Sequence, residues 1–407
     1  MDRFVILFAV VLYSSILLNP VSCITSEEMR LHLGNVLPVN YTTYIRPVLD
    51  QSTAVAVTVD LHLIGINYFD NQEQKLVTTA YLDIQWTDEV IARNWGDAGN
   101  ADIEEVYVPQ GNVWVPDMAL QNGFETMVGL GDSFLYIRIK KDGTVLWRPY
   151  QVFESGCEVV ITFFPFDKTS CELKLLIWSN TKEKVSLSQG TIGFDTSLYE
   201  KNSEWDILKT STTEVTSGDN SGILFIIEMK RKPLEYLITI LVPVIMLGLL
   251  NAFLFVLPAD SGEKTGYAVT AFLSFAVFLT IISTEMPRNS EDTSMFSLYI
   301  FIMTMASTVM VVVTIIQLRI HHRPEERPVS RHFYAITQCV RRIQCAICVG
   351  GGHVARDVKR AQEAEEVTWK SVSAAIDFIG FWTFLIFMTV FTATILAVSM
   401  LGDKYLQ

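Results

Sequence analysis

Four long apolar runs in the second half of the chain constrain its fold more than any other feature. They lie at Leu234–Leu257, in a segment that begins near Glu263 and has its core at Val269–Ile282, at Phe296–Leu318 and at Ile376–Met400. Each is about 20 residues long, enough for a helix to cross ~30 Å of hydrocarbon. The sequence therefore predicts an all-α bundle of four transmembrane helices, three in residues 234–318 and the fourth in residues 372–407.

Residues 24–233 contain no apolar run of that length. Short segments alternate apolar and polar residues instead, as in Val55–Leu63 and Phe134–Lys140, and Gly, Asn and Asp separate them. Many short alternating segments divided by turn residues are typical of an all-β sandwich of the immunoglobulin-like kind. The chain is thus predicted to join an extracellular β-sandwich to the helical bundle at about residue 233.

The first 23 residues have the pattern of a secretory signal peptide. Arg3 supplies a positive charge, Phe4–Leu18 an apolar run and Val21–Cys23 a cleavage site of small residues. So short a run favours removal over the alternative, a retained anchor helix. The sandwich is then expected outside the cell, where Asn40 of the Asn-Tyr-Thr triplet is a candidate N-glycosylation site.

Four spans place both flanks of the bundle on the extracellular side, so the C-terminus is predicted outside and residues 319–371 inside. The start of this cytoplasmic segment is rich in Arg and His, as the positive-inside tendency expects. Ala355–Lys370 has the spacing of an amphipathic helix that leads into the last span.

The cysteines divide by compartment. Cys157 and Cys171 are the only pair left outside after signal removal and are expected to be joined. The cytoplasmic cysteines are Cys339, Cys345 and Cys348. Their spacing with His353 matches no standard zinc pattern, so we favour free or palmitoylated thiols and predict neither a metal nor a cofactor.

Charge and composition narrow the function. The 407 residues carry a formal net charge of −13. This acidic balance argues against nucleic acid as a partner and suits the attraction of cations. The six histidines are scattered or near the membrane, and no pairing of nucleophile with base stands out, so an enzyme is not predicted.

Several motifs carry a resemblance to a known family. They are Cys157-x13-Cys171 with Phe164-Pro165-Phe166-Asp167 inside it, Trp86-Thr-Asp88, Trp114-Val-Pro-Asp117, Leu257-Pro-Ala-Asp-Ser-Gly-Glu-Lys264 and Met286-Pro287. In their order along the chain they resemble the Cys-loop receptors, which are pentameric ligand-gated ion channels, and most of all nicotinic acetylcholine receptors. The resemblance covers essentially the whole mature chain. It implies a plasma-membrane pentamer whose second helix lines a central pore.

One face of the second span collects the candidate pore-lining residues. They are Glu263, Gly266, Thr270, Leu273, Val277, Thr280 and Thr284. Polar residues within a membrane usually face a wet cavity, although a hydroxyl can instead bond to its own helix backbone. With five copies, Glu263 would form an acidic ring that selects monovalent cations, and Leu273 and Val277 would form apolar constrictions. Anion-selective relatives carry a Pro-Ala insertion here that this chain lacks.

The resemblance also implies an agonist site between subunits, where aromatic rings hold a cation. The candidate contacts are Trp178, Gln121 and Ser221 on one face and Tyr81, Trp147 and Arg148 on the other. Trp178 is alternatively a core residue. Gln121 and Ser221 stand where the family has tyrosines, and the hairpin of residues 214–222 lacks vicinal cysteines. We therefore do not expect acetylcholine to be the agonist; the small-molecule agonist stays unidentified.

A second implied region couples the sandwich to the pore. The Phe164-Pro165-Phe166 tip should press on the loop from Thr284 to Thr293, which contains Pro287. Arg231 matches a coupling arginine that could pair with Asp167. The usual acidic partner is replaced by Asn71, with Asp70 beside it. The alternative is that Arg231 belongs to a basic cluster that meets lipid head groups.

The sequence thus favours a cation-selective, ligand-gated channel. Five identical chains or a heteropentamer with related subunits would both fit. The alternatives are a subunit that conducts only with partners, which the incomplete aromatic site motivates, and an anion channel.

Overall fold

The computed structural model describes residues 24–98, 103–124, 127, 129–286, 293–324, 326–348 and 367–405. In the first half, two short helices, α1 (Ser26–Val36) and α2 (Glu89–Asp97), accompany the strands. The strands are β1 (Val55–Asp70), β2 (Lys75–Thr87), β3 (Glu105–Pro109), β4 (Met118–Leu120), β5 (Tyr136–Lys140), β6 (Thr144–Trp147), β7 (Tyr150–Gly156), β8 (Lys168–Ile177), β9 (Val185–Asp195), β10 (Trp205–Ser217) and β11 (Asn220–Arg231).

The strands form two sheets. The larger has the order β3-β5-β6-β2-β1-β9, with β7 also paired to β2, and the smaller has the order β10-β11-β8-β4. Alternation decides which side of each strand is buried: in β1, the side chains of Val57, Val59, Leu61 and Leu63 are fully buried, whereas Thr58 and Ile64 are not. The predicted β-sandwich is confirmed.

The second half is helical. Its helices are α3 (Leu234–Phe253), α4 (Lys264–Glu285), α5 (Met295–His321), α6 (Arg331–Cys348) and α7 (Trp369–Tyr405). Within the described residues α3, α4, α5 and α7 are long and apolar enough to cross a membrane, which agrees with the four predicted spans. Pro243 lies at the start of the regular α-helical part of α3, where its missing N–H costs least.

The amphipathic helix predicted for residues 355–370 stays a prediction. The last helix begins at Trp369, so Lys370, the end of the predicted segment, belongs to that helix. Residues 355–366 of that predicted helix lie outside the described residues. An amphipathic helix forms earlier in the chain, as α6, where Val340 packs inward and Ile336 and Ile343 remain exposed.

A disulfide joins Cys157 and Cys171, as expected. The loop that it closes lies at the junction of the two halves. Phe164 of this loop packs edge-to-face on Tyr236 at the start of α3, with ring centroids 4.9 Å apart, and also contacts Phe296 at the start of α5. One buried apolar cluster therefore runs from the sandwich into the helical bundle without interruption.

Candidate functional site

The predicted pore face of α4 is the face that this chain leaves uncovered. Exposed residues on it are Gly266, Thr270, Leu273, Val277, Thr280 and Thr284. Across the helix Ala268, Phe275 and Ile282 are buried against the other helices. A helix packed on one side only has room for further copies on its other side, and here that side carries the hydroxyl-bearing stripe.

The threonine hydroxyls of the stripe donate to their own helix. Thr270 Oγ1 donates to the Gly266 carbonyl at 2.9 Å, Thr280 to Ala276 at 3.0 Å and Thr284 to Ile281 at 2.6 Å. The backbone-bonding alternative is therefore what the geometry shows. It does not remove the oxygens from the open face, because each hydroxyl oxygen keeps its lone pairs after donating its proton.

The N-terminal end of α4 holds two opposite charges in different places. Glu263, the residue that precedes the helix, is exposed. Lys264 is completely buried, and its ammonium forms a short ion pair with Asp377 of α7. The fold therefore directs the cation into the bundle and leaves the carboxylate on the surface. Gly266, one turn above, has nothing within 4 Å of the place that a Cβ would occupy.

Trp178 is a surface residue. Its side chain is 51% exposed, which excludes the alternative role in the core. Its backbone is fixed from both sides: its N–H donates to the Asp117 carbonyl at 3.0 Å, and Asn220 Nδ2 donates to its carbonyl at 2.9 Å. The strand β8, the Trp-Val-Pro-Asp motif and the hairpin of β10 and β11 thus meet at this tryptophan.

Gln121 lies beside the same hairpin. Its side-chain amide donates to Ser217 Oγ at 3.1 Å; Gln121 is exposed and Ser217 is half-buried. The hairpin turns tightly, because Ser217 pairs with Asn220 and Gly218 adopts a φ of 61°. The structure thus places Gln121 and the hairpin tip together on the surface of the smaller sheet.

Ser221 does not join this surface. It is only 3% exposed, and its hydroxyl oxygen accepts a 2.9 Å hydrogen bond from the Leu187 N–H of β9. A side chain used to connect two strands inside the sandwich presents no surface to a ligand. Ser221 therefore drops out of the predicted set of ligand contacts.

Trp147 drops out for a similar reason. Its ring is 2% exposed, and its indole N–H donates to Gln110 Oε1 at 3.0 Å. It pairs with Ile84, whose side chain is in the core, and the side chains of paired residues point to the same side of a sheet. A sequence match to an aromatic position cannot distinguish the two faces of a strand.

Tyr81 and Arg148 lie on the outer side of the larger sheet. Arg148 forms a bidentate ion pair with Asp83, with Nε–Oδ1 and Nη2–Oδ2 distances of 2.7 and 2.9 Å. The Tyr81 ring stacks on the His62 ring, with centroids 4.5 Å apart and planes inclined by 4°. Burial, with the nearby Asp83 carboxylate, raises the pKa of Tyr81 above its usual value, so its phenol stays protonated. His62 was not predicted from the sequence.

The two sets of candidate contacts belong to different sheets of the sandwich. Trp178 and Gln121 lie beside the strands of the smaller sheet, and Tyr81 lies on β2 of the larger. One chain therefore does not bring them together. A ligand that touched both sets would need two neighbouring chains.

Arg231 is enclosed at the junction between sandwich and bundle. Its Nε is 2.9 Å from Asp167 Oδ1, and its guanidinium carbon lies 4.2 Å from the centre of the Trp205 ring. Both charged side chains are almost completely buried. This position excludes the alternative in which Arg231 meets lipid head groups.

The turn between β1 and β2 reaches the same junction. Asn71 Oδ1 accepts a 2.8 Å hydrogen bond from Arg231 Nη2. The predicted Asp70 instead caps the turn: its carboxylate accepts from the N–H groups of Gln72 and Glu73 at 2.9 and 3.0 Å. The Gln72 amide donates to the Thr284 carbonyl at the C-terminal end of α4. Gln72 was missed because a turn glutamine carries no sequence signal.

The loop tip also meets the bundle. Phe164 and Pro165 are buried, and the Thr162 carbonyl accepts from the Met295 N–H at 3.0 Å. These contacts involve the starts of α3 and α5. Pro287 of the predicted receiving loop lies outside the described residues, as does the signal segment of residues 1–23. Asn40 is exposed, and Cys339 is an exposed free thiol.

Comparison with known proteins agrees with this architecture. The family model of the neurotransmitter-gated ion-channel ligand binding domain matches residues 31–233, and that of the neurotransmitter-gated ion-channel transmembrane region matches residues 240–346.

Similar curated proteins are receptor subunits. The acetylcholine receptor subunit beta of Rattus norvegicus is 29% identical over 304 residues, which are 70% of this chain and 60% of that protein. The neuronal acetylcholine receptor subunit alpha-2 of Homo sapiens is 28% identical over 326 residues, 78% of this chain and 60% of that protein. The chain thus spans about three fifths of the length of these relatives. It belongs to the neurotransmitter-gated ion-channel family, a family of ligand-gated channels and not of enzymes.

Proposed function

We propose that this chain is a subunit of a cation-selective, ligand-gated channel of the plasma membrane, with both termini outside and five α4 helices around the pore. The observation that carries the proposal is the uncovered face of α4. Thr270, Leu273 and Val277 are exposed there although they belong to a helix long enough to span a membrane. Hydroxyl groups that face lipid find no water to hydrogen-bond with, whereas hydroxyl groups along an aqueous pore are solvated.

The electrostatics of α4 favour cations. Glu263 is exposed at the cytoplasmic foot, while the ammonium of Lys264 is withdrawn into an ion pair. Higher up, Thr270 and Thr280 donate their protons to backbone carbonyls, so their hydroxyl oxygens offer acceptors to the lumen. Oxygen acceptors replace the hydration shell of a cation and not that of an anion.

The ligand would bind between neighbouring chains, in contact with Trp178 and Gln121 of one and Tyr81 and Arg148 of the next. Supporting this are the exposure of Trp178 and the location of the two sets on different sheets. A small molecule other than acetylcholine is favoured, since amide and hydroxyl groups at Gln121 and Ser217 replace an aromatic wall. Identical or related subunits can supply the two faces.

Substituted cysteines test the pore. Cysteine at Thr270, Leu273 or Val277 should react with a membrane-impermeant thiol reagent and reduce the current. The matched controls are cysteines at Ala268 and Phe275, which are buried on the opposite face of the same helix. Equal protection of all five positions in closed and open channels would exclude a pore lined by α4.

Charge substitution tests selectivity. Glu263→Gln should reduce the permeability of Na⁺ relative to Cl⁻, measured as a shift of the reversal potential in dilution experiments. An unchanged reversal potential would show that Glu263 does not set selectivity, and a wild-type channel that reverses at the Cl⁻ potential would support the anion alternative.

A non-conducting subunit is the second candidate, because Ser221 and Trp147 do not contribute to the ligand surface. Recording Leu273→Thr channels from cells that express this chain alone distinguishes the two. A polar residue at the apolar constriction should open the pore without ligand. Surface protein without current in this variant would favour the non-conducting subunit.

A further inference from the structure

His62 occupies an unusual position beside the proposed ligand surface. Strand alternation puts it on the outer side of β1, together with Asp60, yet the side chain is only 8% exposed. Tyr81 covers one face of its ring at 4.5 Å. The ring is held parallel to the Tyr81 ring and stacked on it, so displacement of either ring would expose the other.

Two carboxylates approach the ring nitrogens. Nδ1 lies 2.8 Å from Asp195 Oδ2, and Nε2 lies 3.7 Å from Asp83 Oδ2. Nε2 is buried and has no hydrogen-bond partner. Since Nδ1 lies at hydrogen-bonding distance from a carboxylate, protonation would place the new proton on the unpartnered Nε2, facing Asp83.

One of the three carboxylates around the ring is paired with a cation, and the other two accept hydrogen bonds from neutral donors. Arg148 neutralises Asp83 through its bidentate contact. Asp60, on the same side of β1, accepts hydrogen bonds from the N–H groups of Ile192 and Gly193. Asp195 accepts from the Ser197 N–H and hydroxyl, which hold the pKa of its carboxyl below the usual value. Hydrogen bonds from neutral donors do not remove a charge, so with His62 neutral these contacts balance neither Asp60 nor Asp195.

We propose that His62 is a positioning residue of the ligand site, which holds the Tyr81 ring in place and makes the net charge of that surface depend on its own protonation. This inference rests on the proposed function of Tyr81 as a ligand contact. Neutral His62 leaves this surface with two carboxylates, Asp60 and Asp195, that these contacts do not balance, and protonated His62 balances one of them. A cationic ligand that contacts Tyr81 should bind more weakly as the pH falls.

The test measures the charge of the surface around Tyr81 from the labelling rates of a reporter cysteine, so it needs neither a ligand nor a current. Tyr150 pairs directly with Tyr81 across β2 and β7 and is exposed, so Tyr150→Cys places a reporter on the same surface and leaves the stack of His62 on Tyr81 intact. The full-length protein at the cell surface is labelled at low salt with a methanethiosulfonate that bears either trimethylammonium or sulfonate. The ratio of the two rates cancels the ionisation of the thiol itself. The parent chain without the reporter is the labelling blank.

The expected ratio of cationic to anionic rate falls about threefold between pH 8 and pH 5.5, since one charge changes at roughly 10 Å. With His62→Gln the ratio should be constant. An equal fall in His62→Gln, or a constant ratio in both proteins, would overturn the charge part of the proposal.

Positioning has its own comparison. His62→Phe keeps a ring for stacking and should leave both rates at pH 8 near those of the parent, whereas His62→Ala should change them because Tyr81 is released. Equal rates in the two variants would overturn positioning. If a His62 variant does not reach the surface, Asp195→Asn serves instead: it removes the carboxylate charge beside Nδ1 and should raise the ratio of anionic to cationic labelling rate at pH 8. An unchanged ratio would contradict the assignment. Because labelling needs no open pore, its failure is distinct from failure of the proposed channel.

Discussion

Single residues at the junction illustrate how the fold accommodates charge where water is excluded. The guanidinium of Arg231 lies 4.2, 5.2 and 5.4 Å from the rings of Trp205, Phe164 and Tyr236. Asp167 supplies the counter-charge and a bidentate acceptor. A buried pair of this kind adds little over an apolar replacement, but removal of one partner leaves the other charge unpaired.

Asp167→Asn should therefore destabilise the protein by about 3–5 kcal/mol. The matched control is Asp206→Asn, which breaks the exposed pair with Lys232 and should change stability by less than about 1 kcal/mol. Thermal unfolding of the protein in nanodiscs gives both values. Similar effects of the two substitutions would show that burial does not govern the junction pair.

His32 provides a prediction about pH. The residue is 1% exposed, neither ring nitrogen has a hydrogen-bond partner, and burial lowers its pKa from the usual 6.5. The unfolded chain then binds a proton at a pH where the folded one does not, so His32 lowers stability as the pH falls below about 6.5. His32→Phe should retain the edge-on contact with Trp95 and weaken the loss of stability between pH 7.5 and 5.5. An unchanged slope of unfolding free energy against pH would contradict this role.

Residue roles were only partly predictable. Asp70 and Asn71 are adjacent in the sequence, yet the turn directs Asn71 to Arg231 and uses Asp70 as its cap. Trp147 and Ser221 match family positions in the chain but face the interior. Which way a side chain points depends on strand register and turn geometry, which a motif does not encode.

At the scale of elements, close packing between helices decides where glycine is needed. Gly380 of α7 lies against the Phe255 ring just after α3, where an added Cβ would approach ring atoms to 2.6 Å. A Cβ added to Gly266 of α4 would instead have no atom within 4 Å. Both glycines belong to membrane-spanning helices, so they form a matched pair for testing close approach.

Gly380→Ala should cost about 1–3 kcal/mol through overpacking. Gly266→Ala should be neutral or stabilising, because alanine favours a helix over glycine by about 1 kcal/mol. Thermal stability and yield of assembled protein are the measurements. A tolerated alanine at residue 380 would mean that the contact between α3 and α7 gives way easily.

The elements themselves followed from simple patterns. Apolar length predicted the four spans, and the period of α4 predicted which face stays uncovered, because an α-helix repeats every 3.6 residues. The helix α6 was missed. Its isoleucines, arginines and cysteines show no clear helical periodicity in the sequence. The buried side of the helix is recognised only from the structure, where Val340 packs inward.

At the scale of the whole molecule, polar contacts help to join the sheet sandwich to the helix bundle. Gln72 supplies one of them, between the turn after β1 and the C-terminal end of α4. Movement of the sandwich would reach α4 along this bond. Loss of one hydrogen bond typically changes an equilibrium about fivefold, which is roughly 1 kcal/mol.

Gln72→Ala should thus lower the current per surface receptor about fivefold in the Leu273→Thr background. The neighbouring Glu73→Ala is the control, since Glu73 pairs with Lys75 and not with α4. Two-electrode recording combined with surface labelling gives the normalised current. Equal currents in both variants would exclude Gln72 from coupling.

The uninterrupted apolar cluster between the two halves has a practical consequence for anyone who wishes to divide the molecule. A soluble fragment that ends at Pro233 would lack Tyr236 and Phe296. Phe164 and Pro165 would then be exposed to water on its surface. Such a fragment should aggregate in detergent-free buffer and become soluble once these two residues are replaced by hydrophilic ones.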